Sequence, residues 1–435
     1  MSGEPANTNH LAGRDWFGQP RGLTILFLTE MWDQFSFFGM RALLVLYMTK
    51  HLLMAQQNAS WVYGLYAASV YLTPIFGGMI TDRWLTRRTA VLTGATIMMI
   101  GHFLMASEGL FYWALGTIAL GNGLFLPSLA SQIDDLYVAD DPRRRSAYNI
   151  YYVGINLGAF AAPLVIGTVG EVFGFHWGFA LAGLGMIVAI ATYVAGGRYL
   201  PAAVPKTSRT KPTETARDRP TPLKTRLVLL VVVAAAVVVF RGAYEQLGNT
   251  IPLWADAKVD RTVTTGLTIP VTWFQSLNPM TVFLLTPAFV AGWTRQAKRG
   301  REPSSAAKMA LGAAVIGLAF LLIAVVGAYA QARAGITPWP LLAAFIVLLT
   351  AGELFILPVG LGLFGRLAPA GLTATTIALW YSAGFFGNLF AGWLGTLWST
   401  LSVGTFFALT AAIALASAAL LGCLIPWVRE TERSA

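Results

Sequence analysis

The stretch LPAAVPKTSRTKPTETARDRPTPLK, from Leu200 to Lys224, divides the chain into two parts of similar organisation. It is rich in proline, threonine and arginine and lacks the apolar residues of a packed core, which is typical of a linker. Six long apolar runs precede it and six follow it. Because a helix needs about 20 apolar residues to cross a bilayer, the sequence predicts twelve membrane-spanning helices.

These predicted spans contain the glycine, alanine and tryptophan that suit packed membrane helices. They cover residues 22–49, 60–81, 89–107, 110–137, 146–171, 176–198, 225–255, 267–293, 305–331, 338–364, 371–398 and 402–428. No run alternates with a period of two, so an outer-membrane barrel is not expected. The predicted domains are an N-terminal tail (1–21), a six-helix bundle (22–198), the linker (199–224), a second six-helix bundle (225–428) and a C-terminal tail (429–435).

Composition supports the membrane class. Of the 435 residues, 56% are hydrophobic and 11% are charged, whereas a soluble domain carries about 25% charged residues. The net charge of +10 does not indicate nucleic-acid binding, because the charged residues lie almost entirely between apolar runs. The single cysteine, Cys423, excludes a disulfide framework and a cysteine-based metal site.

The positive charges are distributed unequally about the predicted spans. If the linker is cytoplasmic, 24 of the 30 lysines and arginines lie on its side of the membrane, four lie opposite, and Arg41 and Arg241 lie within spans. Cytoplasmic loops carry the excess of positive charge. We therefore expect a multi-pass protein of a bacterial inner membrane with both termini in the cytoplasm.

The loop GGMITDRWLTRR, residues 77–88, joins the second and third predicted spans. It resembles the G-x-x-x-D-R-x-x-x-R-R loop of the major facilitator superfamily, whose fold has two six-helix bundles. The resemblance implies that Gly78 allows two helices to approach, and that Asp82 and Arg83 act at a cytoplasmic gate. An ordinary basic loop is the alternative interpretation.

Several ionisable residues fall inside the predicted spans, namely Glu30, Asp33, Arg41, Arg241, Glu245 and Glu353. A charge at the bilayer centre costs about 2.5–3.5 kcal/mol on insertion scales, so each one indicates a functional role. Arg41 lies on the same helix face as Glu30 and Asp33. Arg241 and Glu245 are four residues apart on one helix and can pair directly. Static ion pairs that only set helix packing are the alternative.

The segment LTEMWDQFSFFGMR, residues 28–41, resembles the first-helix signature E-x-x-E-R-F-x-Y-Y-G, followed by arginine, of the proton-coupled oligopeptide transporter family. Further segments match that family in order over nearly the whole length. They are DPRRRSAYNIYYVGINLGAF (141–160), AYEQLG (243–248), WFQSLNP (273–279), GELFILPVG (352–360) and LWYSAGFFGN (379–388). By this resemblance the chain is identified as an atypical member of the family, with its all-α facilitator fold.

The resemblance implies roles at the matching positions. Glu353 and Asn278 would hold the amino terminus of a peptide, Arg41 would face its carboxylate, and Asn156 would contact its backbone. The other residues implied to bind substrate are Tyr71, Trp380, Phe37 and Phe38. The residues implied in proton coupling or gating are Glu30, Asp33, Arg241 and Glu245, with Glu245 as the carboxylate of an extracellular gate.

This sequence also departs from the family pattern. Asp33 and Gln34 replace the second glutamate and the arginine of the signature, and Leu126 and Ser128 replace a lysine and an asparagine on the fourth span. Arg241 stands where an aromatic residue is usual. Two cations are therefore missing from the N-terminal half, and Glu30 and Asp33 lack their usual partners. Proton coupling by the family's route is in doubt.

The sequence predicts a secondary transporter of small peptides or amino-acid-like solutes that works by alternating access, with atypical or weakened proton coupling. No catalytic set, metal-ligand spacing or cofactor motif is present in the sequence, so neither enzyme activity nor a cofactor is expected; protons would be the coupling ion. A monomer without a nucleic-acid partner is expected. The alternatives are an uncoupled facilitator or exporter of a modified peptide, nucleoside-like or drug-like solute, and a membrane scaffold or sensor that no longer transports.

Overall fold

The computed structural model describes residues 15–16, 18–138, 141–201, 222–333, 335–369 and 372–433. Within these residues the fold is almost entirely helical. The α-helices are α1 Arg21–Leu46, α2 Gln56–Trp84, α3 Arg87–Leu104, α4 Phe111–Ala130, α5 Arg144–Ala162, α6 Thr168–Val172, α7 Phe175–Ala195, α8 Leu223–Tyr244, α9 Thr250–Lys258, α10 Trp273–Lys298, α11 Ser305–Ala332, α12 Trp339–Leu354, α13 Leu357–Leu367, α14 Thr373–Thr396, α15 Val403–Cys423 and α16 Ile425–Arg433. Each of the twelve predicted spans coincides with one helix or with two consecutive helices.

Seven stretches of the described residues are long and apolar enough to cross a membrane by length and composition alone. They comprise α4, α5 with α6, α7, α8 with α9, α11, α12 with α13, and α15, together with the short turns that adjoin them. The five other predicted spans coincide with α1, α2, α3, α10 and α14, whose apolar sequences are interrupted by polar or charged residues. The arrangement is consistent with twelve membrane helices.

Short strands lie between the helices or before the first one. Strands β1 Asp15–Trp16 and β2 Gln19–Pro20 pair antiparallel, as do β4 Thr262–Thr264 and β5 Leu267–Thr268. Strand β3 Val259–Asp260 pairs in parallel with β6 Thr337–Pro338. The eighth span was predicted to begin at residue 267, but α10 begins at Trp273. Pro270 explains the delay, because proline lacks an N–H and holds the preceding residue extended.

Two predicted spans are each divided into two helices near a proline. The tenth span changes from α12 to α13 between Leu354 and Leu357, just before Pro358, as the sequence predicts. The last span was predicted to run to residue 428, but α15 ends at Cys423 and a separate helix, α16, begins at Ile425 with Pro426 in its first turn. Glu432 on α16 accepts hydrogen bonds from the Ser305 hydroxyl (2.6 Å) and the Arg366 guanidinium (2.9 Å). Residues 429–433, which the sequence assigns to the C-terminal tail, are thus helical, and Glu432 contacts α11 and α13.

The described residues form two compact units. The first contains the residues up to Met40 and those from Thr73 to Pro201; the second contains Arg41–Leu72 and the residues from Pro222 onward. Residues 41–72, which the sequence assigns to the N-terminal half, therefore lie in the second unit. The division of the chain into halves at residues 199–224 remains a prediction, and most of that linker lies outside the described residues.

Close backbone approaches hold helices together inside each unit. In the first unit a Cβ atom on Gly77 of α2 would lie 2.0 Å from the carbonyl oxygen of Gly123 on α4. In the second unit a Cβ atom on Gly64 would lie 2.4 Å from the Cα of Gly392 on α14. Only glycine fits at such distances, since real Cβ atoms do not approach other heavy atoms below about 3 Å.

Candidate functional site

A pair of buried carboxylates lies on α1 in the first unit. The side chains of Glu30 and Asp33 belong to residues that are 0% and 3% exposed. The Gln34 amide donates to Glu30 Oε1 at 2.9 Å and to Asp33 Oδ2 at 3.1 Å, and the Tyr151 hydroxyl donates to Glu30 Oε2 at 2.6 Å. In the described part of the chain no salt bridge reaches either carboxylate. The carboxylates are thus held by neutral donors, and the Gln34 amide bridges them.

A second carboxylate, Glu245, is shared by two arginines in the second unit. Arg241 Nη1 lies 2.8 Å from Glu245 Oε1, and Arg41 Nη2 lies 2.6 Å from Glu245 Oε2. The pair of Arg241 with Glu245, predicted from their four-residue spacing, is confirmed. The pair of Arg41 with Glu245 joins residues 204 positions apart, which no local pattern indicates.

Two tyrosines of α2 fix the arginines. Arg41 Nε donates to the Tyr63 hydroxyl at 2.7 Å, and Arg241 Nη1 donates to the Tyr71 hydroxyl at 3.0 Å. The Arg241 guanidinium also stacks 4.6 Å from the centre of the Tyr71 ring, within the range of cation–π attraction. Tyr71 was expected to bind substrate, and in this structure its hydroxyl contacts Arg241.

Tyr63 was not among the predicted site residues. A signal for it exists, because Tyr63 and Tyr71 are eight residues apart and so lie on the same face of α2. Tyr151 was missed in the same way, although it stands within the matching segment of α5. The role of a hydroxyl that holds a charged group in place cannot be predicted from the sequence, because its partner lies far along the chain.

Glu353 lies one residue before the end of α12, where the helix is interrupted. The Asn278 amide on α10 donates to Glu353 Oε2 at 2.7 Å and to the Thr350 hydroxyl at 3.0 Å. Glu353 and Asn278, predicted to act together, are therefore in direct contact. No salt bridge reaches Glu353 within the described residues. The Tyr244 hydroxyl is a second hydrogen-bond partner of the carboxylate, and the charge of Arg241 acts on it from beyond salt-bridge distance.

The aromatic residues of the prediction pack against hydrophobic neighbours. Trp380 is 8% exposed and meets the Phe364 ring edge-on, with ring centres 5.2 Å apart. Phe37 and Phe38 meet each other edge-on at 5.3 Å. Asn156 donates to the Tyr152 carbonyl of its own helix at 2.9 Å.

The remaining predicted positions lie in the first unit. The Thr81 and Ser128 hydroxyls are 3.2 Å apart and share a hydrogen bond, and Leu126 is half-buried. Asp82 and Arg83 of the loop motif are exposed. A Cβ on Gly78 would lie 4.0 Å from Pro127, so the closest helix approach in this motif is at Gly77.

Comparison with known proteins identifies the family of this arrangement. The model of the POT family matches residues 88–217 and 213–410. The chain belongs to the POT family. The resemblance seen in the sequence is thus confirmed, and the family is one of multi-pass membrane transporters.

Curated relatives of this POT chain are similar over nearly their whole length. The peptide transporter YePEPT of Yersinia enterocolitica is 32% identical over 89% of this chain and 90% of its own length. A di-/tripeptide transporter of Lactococcus lactis subsp. cremoris is 29% identical over 92% of this chain and 94% of its own.

Solved structures support the same fold. A crystal structure of a peptide transporter POT in complex with sulfate has a TM-score of 0.88 and 28% identity, covering 97% of this chain and 99% of that one. A variant of a transporter of that name in complex with alafosfalin has the same TM-score, identity and coverage. The major facilitator fold predicted from the sequence is therefore confirmed.

Proposed function

We propose that this POT-family chain transports small peptides or amino-acid-like solutes across a bacterial inner membrane by alternating access. The observation that carries the proposal is Glu353, a carboxylate that Asn278 holds at a helix break and that forms no salt bridge within the described residues. An ammonium group of a substrate would supply a direct cationic partner. Arg41, in the same unit, offers a guanidinium for a substrate carboxylate.

The relatives support this substrate class. They include proteins named as peptide and di-/tripeptide transporters, and a transporter of this fold in complex with alafosfalin. A zwitterionic solute needs one anionic and one cationic group in the protein, held where water competes weakly with them. Glu353 and Arg41 have the required opposite charges.

Protons are the proposed coupling ion, with coupling weaker than the family's signature would give. Gln34 and Leu126 carry no charge, so Glu30 and Asp33 cannot exchange a proton for the usual cationic partners. The two carboxylates would then act as a coupled pair that shares a proton. An uncoupled facilitator is the second candidate, and the uncharged side chains of Gln34 and Leu126 favour it as well. Both termini in the cytoplasm and a monomeric state belong to the proposal.

A thermal-shift screen followed by uptake tests the function. The purified protein is mixed with dipeptides, tripeptides, single amino acids, nucleosides or peptides with both ends blocked. We expect unblocked di- or tripeptides to raise the melting temperature, because a ligand that binds the folded state stabilises it in proportion to its occupancy, and to enter proteoliposomes saturably. Stabilisation by nucleosides alone would favour the alternative solute class, and a folded protein that binds none of these solutes would favour the scaffold.

A further inference from the structure

Glu245 is held by more positive charge than it can neutralise. Each of its two carboxylate oxygens accepts from a different guanidinium, Oε1 from Arg241 and Oε2 from Arg41. Two arginines and one glutamate leave a net charge of +1 in this cluster, which we call the Glu245 cluster. A desolvated net charge is unfavourable without a counter-charge, and Glu353 supplies one through space, since it interacts electrostatically with Arg241 and Glu245. When the ammonium of a substrate occupies Glu353, the cluster can accept one more anionic group.

The two arginines are not equivalent. The Arg241 side chain is 5% exposed, and it is fixed by the Tyr71 hydroxyl, by the Tyr71 ring and by Glu245. Its Cβ also lies 2.4 Å from where a Cβ of Gly387 would be, so α8 and α14 are closely packed at this point. Arg241 has little room to leave Glu245.

Arg41 is the more available partner. Its side chain is 19% exposed. Its Nε contacts Tyr63 and its Nη2 contacts Glu245, whereas its Nη1 has no hydrogen-bond partner within the described residues. A substrate carboxylate can approach this terminal nitrogen. When it does, Glu245 keeps a cation because Arg241 remains on its other oxygen.

From this geometry we infer that Arg241 is a positioning residue: it retains Glu245 so that Arg41 is free to bind the carboxylate of a substrate. The inference rests on the proposed function and adds the residue that determines preference for a free carboxylate. Without Arg241, Arg41 would be the one cation paired with Glu245 in this cluster, and binding a substrate carboxylate would draw it away from Glu245. A buried glutamate without a cation is strongly unfavourable, so Arg41 would stay with Glu245.

The test compares the affinities of a dipeptide with a free carboxylate and of its C-terminal amide. We expect Arg241→Gln to weaken binding of the free-carboxylate dipeptide by about tenfold or more, the usual effect of losing a charge-assisted contact. Binding of the amide should change by less than about twofold. Arg41→Gln should abolish the preference as well. Arg261→Gln is the matched control, since Arg261 faces Asp256 at 3.6 Å and lies outside the Glu245 cluster.

A second substitution separates positioning from simple structural damage. Glu245→Gln on the Arg241→Gln background removes the negative charge that attracts Arg41. The ratio of the affinities for the free-carboxylate dipeptide and its amide should then return to within about threefold of the ratio in the unaltered protein. Damage to folding would not be reversed in this way. If Arg241→Gln does not fold, Arg241→Lys keeps a cation on Glu245 and should preserve the preference; its loss in that variant would defeat the inference.

The outcomes distinguish this inference from the proposed function. If the unaltered protein discriminates free carboxylate from amide and Arg241→Gln leaves that discrimination unchanged, the role of Arg241 is wrong while peptide transport stands. Equal weakening for both dipeptides, or failure of Glu245→Gln to restore the preference, would also overturn it. A folded protein that binds neither dipeptide would overturn both proposals.

Discussion

Charge is distributed differently around the buried carboxylates of the two units. Among the described residues, Glu30 and Asp33 accept hydrogen bonds from the Gln34 amide and the Tyr151 hydroxyl alone, whereas Glu245 has two guanidinium groups. The sequence departures explain the difference, because arginine is absent at position 34 and present at position 241. A substrate with both charges would meet Glu353 and Arg41 within the second unit. At the residue scale the peptide-binding assignment thus depends on single charged groups that can be changed separately.

Glu353→Gln tests the anionic side of the site. We expect it to weaken binding of a peptide with a free amino group by about ten- to a hundredfold, since a hydrogen bond to a charged group contributes about 1.5–3 kcal/mol. Binding of the N-acetylated peptide, which has no ammonium, should not change. Glu430→Gln on the exposed face of α16 is the control, and affinity is measured by calorimetry or thermal shift. Unchanged affinity for the free-amino peptide would rule out Glu353 as the ammonium partner.

At the scale of elements, helix breaks position the charged groups. Glu245 begins the tight turn that follows α8, and Glu353 lies just before α12 gives way to α13. Proline marks the second break, so the sequence indicates it. Glycines pack these helices against distant parts of the chain. A Cβ on Gly242 of α8 would lie 2.1 Å from the Phe390 ring, and one on Gly352 of α12 would lie 2.6 Å from the Gly312 carbonyl oxygen.

Gly77→Ala tests a close glycine contact of the same kind, between α2 and α4. The added Cβ would overlap the Gly123 carbonyl, and overpacking costs about 1–3 kcal/mol, so the melting temperature in detergent should fall by several degrees. Gly78→Ala is a matched control one residue away, because its Cβ would meet only Pro127 at 4.0 Å. We expect it to change the stability by less than about 0.5 kcal/mol. Equal effects of the two substitutions would contradict the packing at Gly77.

At the scale of the whole molecule, the uncharged residues Gln34 and Leu126 bear on how strongly transport depends on the proton gradient. By the resemblance to the family, Gln34 and Leu126 stand where cations are usual, so no charged partner at those positions competes with protons for Glu30 and Asp33. The two carboxylates would hold a shared proton between them rather than exchange it for a cation. We therefore expect an imposed pH gradient to increase peptide uptake only weakly.

Uptake into proteoliposomes, with and without a pH gradient and a membrane potential, measures this dependence. Leu126→Lys combined with Gln34→Arg should increase the dependence by returning both cations, while each single substitution serves as a control for the added charge. Strong accumulation that the unaltered protein loses when a protonophore is added would refute weak coupling.

The sequence by itself determined the number and approximate bounds of the helices, the family, and the local pair of Arg241 with Glu245. These features follow from patterns within a few turns: apolar run length, proline position and four-residue spacing. The sequence also placed Glu353 and Asn278 in one site, through resemblance to the family.

The tertiary structure alone decided that Arg41 reaches Glu245, that Tyr63 holds Arg41, and that residues 41–72 lie in the second unit. Such contacts join residues about 20 to more than 200 positions apart, and they exist only because helices pack side by side. Periodicity tells which face of a helix is polar, but not which other helix meets that face. The physical reason is that the free energy of a buried charge depends on every neighbour that desolvates or neutralises it, and packing rather than local sequence selects those neighbours.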